Sequence, residues 1–568
     1  MEKIYHYLNQ LYASEQAASA YERLTNLLTD ARQRISSTEN LHRYSEKDVI
    51  LITYGDSLRQ PGEAPLRTLH RFATDHLQEI VSAIHILPFY PYSSDDGFSV
   101  VDYYRVNPDL GNWTDVERLG EDFALMFDAV FNHMSAQSAW FQRFLANDPD
   151  YGGMFLTESP DTDLSMVTRP RALPLLTPFA KPNGETIHVW TTFSADQVDF
   201  DVRQPDTLLR LIEVLLFYVE KGASFIRLDA IAYLWKEVGT TCIHLPQTHV
   251  VIQLMRAVLD EVAPQAILIT ETNVPHQENI SYFGNGSDEA QMVYNFALPP
   301  LLMYTLLHGT PQKFAEWVNS LHTPSDQTTF FNFTASHDGI GVRPVEGLLT
   351  SNEIQALIQK VHSTGGRVSF RQNSDGSQSP YELNVAYVDA IIDPQAPLAM
   401  QVRQFLLSQG IQLALAGIPA IYIHSLLGSR NALDWMQRAG HNRAINRAAF
   451  DLAEIESTLQ QEQAFRAQVF KGYLQLIKIR RAQAAFHPNA PQIALDMGTD
   501  GVLGLLRGSE ASGQVLTLFN ISDRTQSVTL TDDLAGSDLL SGRKAAGIIT
   551  LEPYQQAWLL LNHAYSTG

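Results

Sequence analysis

The run Leu208-Leu209-Arg210-Leu211-Ile212-Glu213-Val214-Leu215-Leu216-Phe217-Tyr218-Val219-Glu220-Lys221 is followed, after Gly222-Ala223, by Ser224-Phe225-Ile226-Arg227-Leu228 and then Asp229-Ala230. Its first part has the spacing of an amphipathic helix, and its second is a short apolar run of buried-strand length. A helix feeding an apolar strand is the unit of a parallel sheet, whose strands are covered on both faces and so lack polar alternation. Working outward, similar short runs recur at Val49–Thr53, Ala83–Leu87, Ala124–Val130, Ala266–Thr270, Gln291–Asn295, Phe330–Thr334 and Ala420–Ile423. Amphipathic segments such as His249–Val262 separate them. Eight such units imply an α/β protein built on a closed (β/α)8 TIM barrel.

Two gaps exceed a simple connection. About 90 residues follow His133 before the fourth strand, and about 80 follow Asp338 before the eighth, which marks functional insertions. The first holds Arg169-Pro170-Arg171 and Trp190-Thr191-Thr192-Phe193; the second holds Asn373-Ser374-Asp375-Gly376 and Ser379-Pro380-Tyr381-Glu382. Leu8, Leu11, Tyr12, Tyr21, Leu24, Leu27 and Leu28 give the N-terminus helical spacing. After about residue 490 short alternating strands appear (Val502–Leu506, Gln514–Phe519, Ser527–Leu530, Gly547–Leu551, Ala557–Leu561). The expected division is a helical extension over 1–46, barrel segments at 47–133, 191–338 and 399–489, insertions at 134–190 and 339–398, and a small antiparallel β domain over 490–568.

With 568 residues, 45% of them hydrophobic, the chain is long enough for such an enzyme. Its net charge of −22 comes without a basic block or stripe, which excludes nucleic acid and anionic membranes as expected partners. The longest apolar stretch, Phe405 to Ile423, is broken by Ser408, Gln409, Gln412 and Pro419 and reads as a barrel helix running into a strand. The single cysteine, Cys242, precludes an intrachain disulfide and reads as packing, not as a nucleophile. The N-terminus lacks the apolar core and cleavage site of a signal peptide, so a cytoplasmic location is expected.

In a (β/α)8 barrel the C-terminal strand ends converge on the active site. Asp229 closes the fourth strand, Glu271 (in Thr270-Glu271-Thr272-Asn273) the fifth, and Asp338 (in Ser336-His337-Asp338) the seventh. The alternative for any one of these acids is a helix N-cap. Two carboxyls facing across a glycosidic bond are the minimum for retaining sugar chemistry, and Arg227, two residues before Asp229 on the same strand face, favours an ionised Asp229.

These segments, with Asp128-Ala129-Val130-Phe131-Asn132-His133, resemble the signature regions of the α-amylase superfamily over nearly all of residues 49–560. The resemblance implies that Asp229 is the nucleophile, Glu271 the acid/base and Asp338 the transition-state stabiliser. Leu87-Pro88-Phe89-Tyr90-Pro91, Asp95-Asp96-Gly97-Phe98, Gln197-Val198-Asp199, Lys236-Glu237-Val238-Gly239-Thr240-Thr241-Cys242, Phe296-Ala297-Leu298-Pro299-Pro300-Leu301 and His337-Asp338-Gly339-Ile340-Gly341 are similar to the sucrose phosphorylase subgroup. That likeness implies a one-glucosyl pocket lined by Asp95, Phe98, His133, Phe193, Gln197, Arg227, His337 and Arg443. For Phe98 and Phe193 the alternative is core packing. Arg443 departs from the sucrose enzymes at the next residue, Ala444. Arg171 matches the subgroup's phosphate-associated arginine, the alternative being a solvated loop charge, and Tyr381 matches a loop residue that alternates with it.

Glu382, the run Glu271-Thr272-Asn273-Val274-Pro275-His276 and the N-terminal extension resemble the glucosylglycerate phosphorylase branch, as does Val167-Thr168-Arg169-Pro170-Arg171-Ala172-Leu173-Pro174-Leu175-Leu176-Thr177-Pro178-Phe179. This implies conversion of 2-O-α-glucosyl-D-glycerate and phosphate to α-glucose 1-phosphate and D-glycerate by double displacement. Sucrose, sucrose 6-phosphate or glucosylglycerol phosphorolysis is the nearest alternative, then an α-glucosidase, then a silent binding barrel. The acceptor carboxylate needs cations or several donors. Candidates are Asn273, His276 and Arg171, with Lys236 and Arg343 as weaker ones, while Glu382 is awkward beside an anion unless it binds hydroxyls or pairs with a base. No cofactor or metal is expected: no nucleotide motif is present, and the first insertion offers no acidic ligand set near Asn132-His133. Phosphate would arrive as the free inorganic ion, to a monomer or homodimer.

Overall fold

A computed structural model describes residues 1–35, 44–171, 173–373 and 376–565. Parts of the segments above that fall on 36–43, Ala172, Ser374 and Asp375 lie outside the described residues. Eight parallel strands close a barrel in chain order: β1 (Ile50–Thr53), β2 (Ala83–Ile86), β3 (Ala124–Ala129), β4 (Ala223–Leu228), β5 (Ile267–Thr270), β6 (Met292–Tyr294), β7 (Thr329–Phe333) and β8 (Ile418–Tyr422), with β8 returning to β1. All eight coincide within about two residues with the apolar runs, because a strand covered by helices outside and packed side chains inside has no face to spare for polar residues. The helix Pro205–Glu220 and the strand β4 reproduce the unit read from residues 208–228.

The Phe405–Ile423 stretch is a helix, Leu398–Ala414, running into β8. Pro419 lacks an N–H for the ladder, and the buried Gln412 amide donates to Asn332 O at 2.9 Å and to Ala420 O at 2.8 Å there. Among the described residues no helix is long and apolar enough to cross a membrane.

The N-terminal helices Glu2–Leu11 and Ser14–Arg34 bury Ile4, Leu8, Ala17, Leu24 and Leu28 against the barrel helices Pro205–Glu220 and Pro246–Val262. Polar ties at the rim are Tyr12 Oη to Val202 O (2.7 Å) and Arg34 to Glu220 (2.7 Å). Between β3 and β4, strands Leu176–Ala180 and Thr186–Trp190 form a hairpin that packs Trp190 with Leu156, Val167, Leu175 and Cys242. Between β7 and β8 lies a three-stranded sheet with Gln378–Asn384 in the middle, Ile340–Gly341 on one side and Arg367–Gln372 on the other. The C-terminal part forms a six-stranded antiparallel sheet with its own apolar cluster around Leu516, Leu518, Val528 and Leu559.

Candidate active site

The ladder between β4 and its neighbours runs one rung past the strand ends. Asp229 N–H donates to Ala129 O at 3.2 Å, and Glu271 N–H donates to Leu228 O at 3.1 Å. Both carboxyls therefore stand at the C-terminal mouth of the barrel, on adjacent strands. Ala230 then adopts a left-handed conformation (φ 47°), strained for a residue with a Cβ, and its N–H donates to Glu271 Oε2 at 2.9 Å. The turn thus ties the peptide following Asp229 to the second carboxyl.

Arg227 holds this pair from beneath. Register places Asp128 of β3 beside Arg227 of β4, and the two form a buried ion pair. The same Nη1 donates to Asp229 Oδ1 at 2.8 Å, while Nη2 lies 3.8 Å from Glu271 Oε2. Behind Asp128, His85 Nε2 bonds its other oxygen at 2.7 Å. One guanidinium thus faces three carboxyls, and burial pushes both the Asp229 and Glu271 carboxyls upward despite it. The two titrate as a coupled pair, each carboxyl's ionisation opposing the other's. The direct bond from Arg227 favours charge on Asp229, and the Ala230 N–H favours charge on Glu271.

Asp338 behaves differently. Burial raises it, but the guanidiniums of Arg443, Arg447 and Arg227 outweigh burial and hold it well below the carboxylate range. Arg443 Nη1 sits 2.8 Å from Asp338 Oδ1, and its Nε donates to Glu382 Oε2 at 3.0 Å with a second contact from Nη2. That pairing removes the difficulty with Glu382: its charge is spent on Arg443. Ala444 is buried beside them, where an aspartate would add an acid needing its own partner.

A cavity opens above these groups. Phe98 stacks on His337 (centroids 4.7 Å, planes 4° apart), and Phe193 packs on His133 (5.2 Å) and edge-on to Tyr233 (5.6 Å). Burial, with Arg447 and Arg227 nearby, pushes His337 down to about 3 against the pull of Asp338, so its imidazole is neutral. His133 Nε2 donates to Phe98 O at 2.9 Å, and Gln197 Nε2 donates to the same oxygen at 3.1 Å. Asp95 reaches the cavity from a strained turn in which Asp95 (φ 53°), Asp96 (φ 48°) and Gly97 (φ 112°) all have positive φ. A Cβ on Gly97 would lie 2.6 Å from Pro88 O, so only glycine fits. Arg447 braces the turn, donating to Asp96 Oδ2 at 2.7 Å and to His337 O at 2.8 Å.

Asp229, Glu271, Asp338, Asp95, Phe98, His133, Phe193, Gln197, His337, Arg443, Arg171, Asn273, Tyr381 and Glu382 all line this cavity. Arg227 lies behind Asp229 instead of in the wall. His276 is not brought in: it opens the helix His276–Ile280, and its ring lies over Phe330 at 6.1 Å. Lys236 is likewise spent elsewhere, 3.0 Å from Asp199 and donating to Asn132 Oδ1 and Tyr233 O. Sequence reasoning missed Tyr233 in the wall and the supports His85, Asp128 and Arg447. A histidine and an aspartate inside otherwise apolar strands were the available signal for the first two.

The model of the α-amylase catalytic domain matches residues 74–340. The glucosylglycerate phosphorylase of Escherichia coli is 45% identical over 560 residues, covering 98% of this chain and 100% of that protein. The glucosylglycerate phosphorylase of Allomeiothermus silvanus is 49% identical over 519 residues, covering 91% and 92%. The crystal structure of sucrose 6F-phosphate phosphorylase from Thermoanaerobacter thermosaccharolyticum superposes with a TM-score of 0.73 at 26% identity, covering 84% of this chain and 94% of that one.

Proposed function

The chain belongs to the family of the glucosylglycerate phosphorylases, within the α-amylase superfamily, and from that membership we propose that it is a retaining glycoside phosphorylase. Its reaction converts 2-O-α-D-glucosyl-D-glycerate and inorganic phosphate to α-D-glucose 1-phosphate and D-glycerate. The observation that carries the mechanism is the pair Asp229 and Glu271, which share Arg227 and the Ala230 turn at the floor of one cavity. Two carboxyls on one cavity floor suit attack by one of them on the anomeric carbon with the other as acid and then base.

In the first displacement Asp229 Oδ attacks the anomeric carbon as Glu271 gives its proton to the departing glycerate oxygen. The C–O bond to glycerate breaks and an ester to Asp229 forms. The upward shift of the Glu271 carboxyl suits it to act as the acid, and the bond from Arg227 favours the ionised Asp229 that attacks. Asp338, ionised by Arg443, offers fixed negative charge to the oxocarbenium-like transition state. In the second displacement Glu271, now a carboxylate, takes a proton from dihydrogen phosphate as a phosphate oxygen attacks the anomeric carbon and the ester to Asp229 breaks.

Arg171 supports interception by phosphate over water. It lines the cavity, and among the described residues its guanidinium has no ion pair in a chain carrying 62 acidic residues. An arginine left unpaired against such a background suits a tetrahedral oxyanion. The mechanism calls for no cofactor beyond the two substrates, and the buried, unpaired Cys242 suits a reducing cytoplasm. Proton NMR of the sugar product tests the reading. α-Glucose 1-phosphate formed only when phosphate is present supports it; the β anomer, or free glucose at the same rate without phosphate, contradicts it.

A further inference from the structure

The acceptor of the proposed reaction carries its carboxylate on the same carbon that bears the scissile oxygen. A group that reads the carboxylate must therefore stand beside Glu271, the residue that protonates that oxygen. Asn273, two residues after Glu271, lines the cavity together with Tyr233 and Tyr381, both of which feel the Glu271 charge. Asn273 is pressed against the second insertion: a Cβ at Gly341 would lie 2.5 Å from Asn273 Oδ1, and that oxygen is buried with no hydrogen-bond partner. Gly341 pairs with Glu382, and the next residue, Val342, donates its N–H to Tyr381 O at 3.1 Å. Arg343 follows directly, one residue beyond that bond. Across the middle strand, Arg371 pairs with Ser379, donating from Nε to its Oγ at 3.0 Å.

Arg343 thus opens the short helical turn just beyond one outer strand and Arg371 lies on the other outer strand, on either side of the middle strand that supplies Tyr381 and Glu382. Neither is itself among the residues that line the cavity. Arg371 is partly neutralised by Glu346, 3.2 Å from its Nη2. Arg343 is not: its Nε is sealed from solvent without a partner, and among the described residues no carboxylate pairs with it. The charges of both arginines reach Tyr233, which also faces Glu271. Burial and the neighbouring Arg343 hold the Arg371 guanidinium below its ordinary value, with Glu346 pulling the other way. Arg171 sits apart, lining both the cavity and an outer vestibule with Leu173, Ser194 and His441.

We propose that Arg343, backed by Arg371, is the specificity-determining residue that binds the acceptor's carboxylate, with the unpartnered Asn273 Oδ1 accepting from a neighbouring hydroxyl. The assignment rests on the reading of the chain as a glucosylglycerate phosphorylase. It divides the two anionic acceptors of the cycle between two arginines from different insertions, Arg171 for phosphate and Arg343 for glycerate.

The test compares kcat/KM for phosphorolysis of glucosylglycerate and of glucosylglycerol, its neutral analogue with a hydroxymethyl in place of the carboxylate, in wild type, R343Q and R343K. Charge-assisted bonds of this kind set the expected scale. R343Q should lose about 10- to 100-fold more on glucosylglycerate than on glucosylglycerol, with the loss mainly in KM, and R343K should recover part of it. A structural role would lower both substrates together. Equal loss on both, or no loss on either, overturns the assignment alone. A wild type that releases no α-glucose 1-phosphate from glucosylglycerate overturns the functional reading and this assignment with it.

Discussion

Replacing one oxygen of Asp229 with an amide nitrogen leaves the Arg227 contact able to form but removes the nucleophile. Asp229→Asn should fold and lose about 10⁴-fold or more in kcat, the scale seen when a nucleophile is deleted; near-wild-type turnover would show that the ester forms elsewhere. Glu271 makes a different demand. Its carboxyl is pushed up by burial, and the acid form is the one that serves departure of glycerate. Phosphorolysis should therefore fall as pH rises through the raised Glu271 value, and fall at the acid end as Asp229 takes up a proton. Glu271→Gln should abolish the alkaline descent and spare α-glucosyl fluoride, whose leaving group needs no proton, relative to glucosylglycerate. An unchanged alkaline limb would assign it to another group. At this scale the sequence was informative where a residue's neighbours in the chain were also its neighbours in space, as for Asp229 and Arg227. It was silent on the Arg443–Glu382 pair, whose members lie 61 positions apart and reveal each other only once the second insertion folds over β7.

The barrel strands were legible because covering both faces of a parallel strand leaves a short apolar run, here recurring eight times with amphipathic helices between. What that reading concealed was the polar stack inside the barrel. His85, Asp128 and Arg227 come from three consecutive strands, and the β3–β4 register alone brings the last two together. In an apolar strand each looks like a single anomaly. The join between barrel and C-terminal sheet was equally hidden. Arg507, fully buried in the strand Val502–Ser509, donates to four backbone carbonyls: Ala414 O at 2.7 Å, His487 O at 2.8 Å, Pro491 O at 3.3 Å and Ala490 O at 3.4 Å. Arg507→Met would take the guanidinium donor from Ala414 O and Ala490 O in a closed space, while His487 O and Pro491 O keep the N–H groups of Ala490 and Gly508. It should lower unfolding free energy by about 3 kcal/mol, seen as a lower denaturant midpoint and earlier proteolytic release of the C-terminal sheet. A midpoint within about 0.5 kcal/mol of wild type would mean that apolar packing alone makes this junction.

For the molecule as a whole, neutral buried histidines set a pH limit on stability. His424 is pushed down to about 3 by burial, with Arg466 adding to it against the bond to Ala448 O. An unfolded chain would titrate this group near 6.5, so below that pH the unfolded state binds a proton that the folded state refuses. The stabilisation is complete above pH 6.5 and lost as pH falls, at about 1.4 kcal/mol per unit. In His424→Asn that slope should vanish. The stability difference between wild type and variant should shrink by about 2 kcal/mol from pH 6.5 to pH 5, while parallel curves would show that His424 is protonated in the fold.

The central claim joins all three scales: a barrel that presents Asp229 and Glu271 to one glucosyl unit, insertions that bring arginines to its acceptor side, and an acidic molecule that reserves those arginines for anions. The most direct measurement is initial-rate release of α-glucose 1-phosphate from glucosylglycerate, glucosylglycerol and sucrose, each with and without inorganic phosphate. The expected result is phosphate-dependent release with glucosylglycerate preferred by a wide margin. Preferred release from sucrose would contradict the acceptor, and free glucose from any of the three regardless of phosphate would contradict the phosphorylase.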